Sequence, residues 1–161
     1  MKNNIYYYRE EYLKQRKLEG IVNSRVLLRP NVKKRQVVAL FAICLFMICA
    51  SVLAPILLAK KPITAIVLSV TANLILIETY FRFCLIILVK YYQNTAKEET
   101  RRRCLCIPSC SEYAIISLKK VFPLAIALLK IHKRLYKTCD GQDYKIDFPI
   151  RKMGEDFENK L

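Results

Sequence analysis

The chain has 161 residues, of which 54% are hydrophobic, yet its formal net charge is +15. The two properties occupy different places, because residues 37–59 hold no charge whereas residues 1–36 carry ten Lys and Arg against three Asp and Glu. A single histidine, with no Gly-rich phosphate loop and no Ser-His-Asp set, leaves little for catalysis, so we expect neither an enzyme nor a cofactor.

Residues 1–36 are predicted to be a basic juxtamembrane arm, which Pro30 ends. Two interpretations stay open: the arm binds anionic lipid headgroups, or it is a solvated helix whose charges only satisfy the positive-inside rule. The apolar run that begins at Val37 is longer than the apolar core of a secretory signal peptide, so we expect no cleaved leader.

Two apolar runs predict a transmembrane hairpin with spans at about 37–59 and 63–81. As a helix, the first run covers about 34 Å, which is enough for a hydrocarbon core of ~30 Å. A turn at Lys60-Lys61-Pro62 separates them. The polar residues of the second span are expected to face the first helix; they are Thr64, Ser69, Thr71 and Asn73. The more basic flanks predict that both termini are cytoplasmic.

Glu78 and Arg82 are four residues apart in the order that favours an ion pair on one helix face. Charges inside a membrane are candidates for a functional site, but counting from Ile63 puts this pair at the cytoplasmic boundary. We therefore expect an interfacial pair that ends the second span. The helix should continue along the interface to residue 93, followed by a loop at 94–103.

The basic C-terminal part is predicted to contain two short helices, at about 112–121 and from Pro123 onward, with Ser109 or Ser111 as the first cap. Their expected apolar faces are Ile115, Leu118 and Phe122 in the first helix, and Leu124, Leu128, Ile131 and Leu135 in the second. Residues 143–149 should be extended, and 150–161 a loose charged tail.

Four cysteines of this part raise the hypothesis of a zinc site: Cys104, Cys106, Cys110 and Cys139. Cys106 and Cys110 have a usual ligand spacing, but Cys104 and Cys106 are separated by one residue and Cys139 has no close partner. The simpler interpretation is that the thiols are free and pack the turn against the two helices, since stable disulfides are disfavoured in the cytoplasm.

The stretch Cys104-Leu-Cys-Ile-Pro-Ser-Cys-Ser-Glu-Tyr-Ala resembles the hallmark of the YidD family, the membrane protein insertion efficiency factors. The resemblance covers about residues 84–149, with an aromatic residue of the family replaced by Cys106. The positions that carry it are Tyr92, Gln93, Cys104, Pro108, Ser109, Cys110, Ser111, Tyr113, Ala114, Lys133, Arg134, Cys139, Gly141, Asp143 and Pro149.

This resemblance implies an all-α membrane protein, in which a two-helix transmembrane hairpin (37–93 with its interfacial extension) precedes a small cysteine-containing helical cytoplasmic domain (94–149). It implies a non-enzymatic accessory factor of a bacterial inner membrane that works with the insertase or translocase and client membrane proteins. Anionic lipids and the ribosome are further expected partners. The alternative hypotheses are a membrane-anchored metal- or thiol-binding protein and a lipid-active, toxin-like peptide.

Overall fold

The computed structural model describes residues 2–58, 62–139 and 143–159, which are mostly helical. The helices are α1 Lys2–Ser24, α2 Lys34–Leu58, α3 Pro62–Leu76, α4 Arg82–Thr95, α5 Glu98–Arg102, α6 Cys110–Lys120, α7 Leu124–Lys133 and α8 Arg151–Glu158. Two π-helical turns, Ile77–Phe81 and Arg134–Thr138, follow α3 and α7. Two short strands, β1 Cys106–Ile107 and β2 Lys145–Ile146, pair in parallel.

The predicted apolar runs form α2 and α3, which pack against each other as antiparallel helices. The Ser51 hydroxyl donates to Oδ1 of Asn73 at 3.0 Å, so Asn73 does face the first helix. Thr71 does not; it is exposed and donates to carbonyls of its own helix. The predicted turn at Lys60-Lys61-Pro62 falls mostly outside the described residues.

Within the described ranges, two segments are long and apolar enough to cross a membrane, Lys34–Leu53 and Ile66–Thr95. Only 11% and 17% of their most apolar windows are buried. A core helix of a soluble protein would be mostly covered, whereas these two leave their apolar side chains exposed.

The second apolar helix continues beyond residue 81, as predicted. It passes through the π-helical turn and continues as α4 to Thr95. A loop was predicted at 94–103, but residues 98–102 form the short helix α5. Its acidic first turn and basic last turn suit the helix dipole, and Arg102 pairs with Glu98 at 2.6 Å.

Helix α1 is not exposed on all sides, because part of its surface packs against the C-terminal region. Its Leu18 and Val22 are buried with Ile107 in one apolar cluster. Partly buried side chains complete the cluster: Ile21, Tyr144, Ile146 and Phe157. The arm is therefore part of the same folded unit as the C-terminal region.

The last residues are likewise not the loose tail that was predicted, because α8 covers Arg151–Glu158. Phe157 of this helix packs on the α1 cluster and lies 5.6 Å from Phe148, measured between ring centres. The partly buried Phe157 side chain thus packs α8 against the rest of the fold.

The predicted apolar faces of the two short helices are only partly correct. In α6, Leu118 is buried as expected, but Phe122 is 67% exposed at the corner between α6 and α7. In α7, Leu124 and Ala127 are buried, whereas Leu128 and Leu135 are exposed. Ala127 and Arg134 are about two turns apart and both buried, so the buried face is rotated from the predicted one.

Candidate functional site

The Glu78–Arg82 pair forms, with 2.7 Å between Oε2 of Glu78 and Nη2 of Arg82, but it does not end a helix. Arg82 is only 6% exposed, and its Nη1 donates to the carbonyls of Leu118 and Val121, both at 2.8 Å. The predicted ion pair is therefore confirmed, and it also joins the second apolar helix to the α6–α7 corner. Its position at the membrane boundary stays a prediction.

The two charges suit the helix ends that they meet. Arg82 binds carbonyls at the negative end of α6, and Glu78 accepts the backbone N–H of Leu124 at the positive end of α7. The guanidinium carbon of Arg82 also lies 4.0 Å from the ring centre of Phe122. We call Glu78, Arg82 and Phe122, with the helix ends they contact, the junction.

Arg134 is the largest fully buried side chain among the described residues. Its two terminal nitrogens donate to the carbonyls of Asp147 and Pro108, and Asp147 pairs with it at 2.5 Å. Its guanidinium carbon lies 4.8 Å from the ring centre of Tyr113. Burial opposes the charged form, but the hydrogen bond and charge of Asp147, together with the nearby Cys106 and Cys110, outweigh it and raise the pKa of Arg134.

Several other motif residues form hydrogen bonds, most of them at the start of α6. The Ser109 hydroxyl accepts the Glu112 N–H while the Glu112 carboxylate accepts the Ser109 N–H, a complete capping box. Gln93 donates to the Ser111 hydroxyl at 3.1 Å. Pro149 is buried, and its carbonyl accepts from Lys130 at 2.8 Å.

Some predicted motif residues are not brought into this network. Lys133, Tyr92 and Asp143 are exposed, and Gly141 lies outside the described residues. Conversely, Arg101, the first of three consecutive arginines, is buried and donates to the Gln93 carbonyl at 3.0 Å. Burial, with Arg29 nearby, lowers the pKa of Arg101. A run of three arginines gave no signal of which one would turn inward.

The four predicted cysteines do come together. The Cys104 sulfur lies 3.3 Å from that of Cys110 and 3.5 Å from that of Cys139. The sulfurs of Cys104, Cys106 and Cys139 all lie within 4.8 Å of one another. Hydrogen bonds from Cys106 and Cys110 lower the pKa of the Cys104 thiol, and the same contacts raise the pKa of those two thiols.

An apolar cavity of ≈ 380 Å³ lies between α4, α6 and α7. Its wall includes Leu88, Tyr92, Ala114, Ile131 and Leu135, with Cys104 and Cys110 at one side. The lining of the cavity is mostly apolar, so it suits contact with apolar groups.

Residues 81–147 match the family model described as "Putative membrane protein insertion efficiency factor", YidD. We call these matched residues the YidD domain. The resemblance seen in the motif is thereby confirmed, and the YidD domain begins within the junction, at the last residue of the first π-helical turn. Helices α1 and α8, which pack on the YidD domain, lie outside the matched range. Among curated proteins and among solved structures, no significant match was found.

Proposed function

We propose that this protein is a non-enzymatic accessory factor that assists the insertion of integral membrane proteins at the cytoplasmic face of a bacterial inner membrane. The family of residues 81–147 supports the insertion role. The observation that carries the proposal is the junction, because it holds the YidD domain directly against the second apolar helix.

The packing of α1 supports a hairpin topology. Helix α1 precedes both apolar helices and the YidD domain follows them, yet Leu18 and Val22 share a cluster with Ile107. Two segments that share a core lie on one side of a membrane, so the chain between them crosses it an even number of times. The basic flanks then favour the cytoplasm for both termini.

The contact between the two ends of the hairpin allows the position of the α6–α7 corner along the membrane normal to be inferred. Asn94 donates to the carbonyl of Val32, so Lys33 and Lys90 lie near one level. Arg82 comes eight residues before Lys90, which is about 12 Å along a helix. The corner that Arg82 holds would therefore reach about 12 Å further toward the bilayer centre than Lys90.

The side chains of the corner suit that depth. Phe122 is exposed at its tip, with the exposed Lys119 and Lys120 one turn before it, a combination typical of the headgroup layer. Beyond the tip, α7 leaves Ile126 and Leu129 uncovered. These apolar side chains would contact acyl chains or the apolar segment of a client that is entering the bilayer.

The proposed mechanism is therefore physical rather than chemical. The basic layer around α1 and α5 retains anionic lipids and holds acidic or ribosomal partners near the membrane. The uncovered face of α7 and the neighbouring cavity offer a temporary apolar surface beside the insertase or translocase. Asn73 is bonded to Ser51 within the hairpin, as the sequence predicted, so the proposed apolar surface for a client lies elsewhere.

The direct test is an insertion assay in inner-membrane vesicles with and without the protein. We expect labelled multispanning substrates to insert less efficiently in its absence, and wild-type protein but not an Arg82→Leu variant to restore insertion. The Arg151→Leu variant, altered at a 93% exposed side chain, serves as control and should restore insertion. Unchanged insertion without the protein would reject the proposal.

A further inference from the structure

We propose that the YidD domain binds one Zn²⁺ ion through four thiolates, in a closed structural site. The ligands are Cys104, Cys106, Cys110 and Cys139. This inference goes beyond the insertion role, which requires no metal.

The four sulfurs come from separate places in the fold. Cys104 follows α5, Cys106 lies in β1, Cys110 is the first residue of α6, and Cys139 follows the second π-helical turn. Nothing in the local sequence requires the last of these to approach the first three. One ion bound to all four would tie both ends of the α6–α7 pair to β1.

The distances fit a small tetrahedral ion. Zinc–sulfur bonds of about 2.3 Å place the sulfurs of a tetrahedral site about 3.8 Å apart. Cys104 lies 3.3 Å from Cys110 and 3.5 Å from Cys139, and the third sulfur, of Cys106, is within 4.8 Å of both Cys104 and Cys139. The Cys110 sulfur lies outside this mutually close set of three, so a rotation of the Cys110 side chain would complete the coordination.

The surroundings suit the negative charge that four thiolates and one Zn²⁺ would carry. The backbone N–H of Cys110 donates to the Cys104 sulfur at 3.3 Å, as outer contacts to metal-bound thiolates do. Arg134 donates to the carbonyl of Pro108, two residues after Cys106, and so brings a positive charge to this loop. Arg25 of α1 donates to the carbonyls of Cys104 and Cys106, both at 3.3 Å, and brings a second positive charge to this loop.

A disulfide explains the cluster less well. The three described contacts centre on Cys104, so one disulfide would use two thiols and leave the others in contact without a role. The proposed cytoplasmic location also disfavours stable disulfides. An all-sulfur set in this geometry prefers zinc to harder divalent cations such as Mg²⁺ or Ca²⁺.

The test uses the full chain in detergent micelles, stripped with a chelator and reloaded with Zn²⁺ alone. We expect one zinc per chain by elemental analysis, and an absorption spectrum of tetrahedral thiolate coordination when Co²⁺ replaces it. The Cys104→Ser variant should bind zinc at least ~10-fold more weakly. The Cys49→Ser variant, changed at an exposed thiol of α2 outside the cluster, should keep full binding.

A measurement on the wild-type chain keeps the test independent of how the variants fold. Alkylation followed by mass spectrometry should show the four thiols protected in zinc-loaded protein and reactive after chelation. Equal labelling in both states, zinc bound equally by the Cys104→Ser variant, or a disulfide within the cluster in protein isolated under reducing conditions would overturn the proposal. None of these measurements depends on the insertion assay, so the zinc proposal and the proposed function can fail separately.

Discussion

The carboxylate of Glu78 accepts a 2.7 Å hydrogen bond from the backbone N–H of Leu124, the first residue of α7. Its ion-pair partner, Arg82, binds the last carbonyls of α6. One i,i+4 pair on the second apolar helix therefore satisfies the end of one helix and the start of the next. These backbone groups have no intrahelical partner, so the junction stabilises the corner as well as positioning it.

Replacing Arg82 should loosen this corner. Arg82→Leu leaves two helix-end carbonyls and the Glu78 carboxylate without their partner, and we expect a loss on the order of 2–4 kcal/mol of stability. Thermal unfolding in detergent should show a lower Tm, with faster hydrogen exchange at the start of α7. Arg151→Leu, at an exposed pair, should leave both unchanged. An unaltered Tm for Arg82→Leu would show that the junction does not hold the corner.

The neighbouring residues Lys133 and Arg134 should differ sharply when each is changed to methionine. Arg134 is 1% exposed and bonds two carbonyls and a carboxylate, whereas Lys133 is exposed. We expect Arg134→Met to lower the free energy of unfolding by about 3 kcal/mol or more, and Lys133→Met to leave it nearly unchanged. Arg134→Lys should not rescue, because an ammonium cannot reproduce the planar fork. Equal Tm values for the two methionine variants would contradict this prediction.

Helix α1 offers a matched pair of leucines for testing its packing on the YidD domain. Leu18 is 2% exposed in the cluster with Ile107, and Leu13 is 49% exposed. Leu18→Ala should destabilise the protein by about 2–5 kcal/mol, and Leu13→Ala by much less. The measurement is chemical unfolding of both variants in the same detergent. Similar losses from both would mean that α1 does not pack through Leu18.

The proposed depth of the α6–α7 corner can be read with a single fluorophore, because the chain contains no tryptophan. Phe122→Trp places one at the exposed tip, and Phe157→Trp places one in the cluster on α1. In vesicles with brominated acyl chains, we expect strong quenching at position 122 and little at 157. Comparable quenching at both positions would argue against an inserted corner.

The sequence predicted the apolar helices, the Ser109 cap and the family motif, because each depends on local composition or spacing. It predicted the ion pair of Glu78 and Arg82 for the same reason. What it could not predict are the distant partners of these residues: the carbonyl of Leu118 for Arg82, or Ile107 for Leu18. Which face of a helix is buried also depends on such distant partners. In α7 and the π-helical turn after it, Ala127 and Arg134 are therefore buried, whereas the predicted Leu128 and Leu135 are exposed.

The shared cluster of Leu18, Ile107 and Phe157 also sets an order of events during translation. Helix α1 leaves the ribosome first, but its partners are synthesised only after both apolar helices. In the proposed topology, the hairpin would therefore enter the bilayer before the surface that binds α1 has been synthesised. If the hairpin entered in the opposite orientation, α1 and the C-terminal residues of the cluster would still lie on one side of the membrane and could pack together. Formation of the cluster therefore indicates an even number of crossings but not their direction.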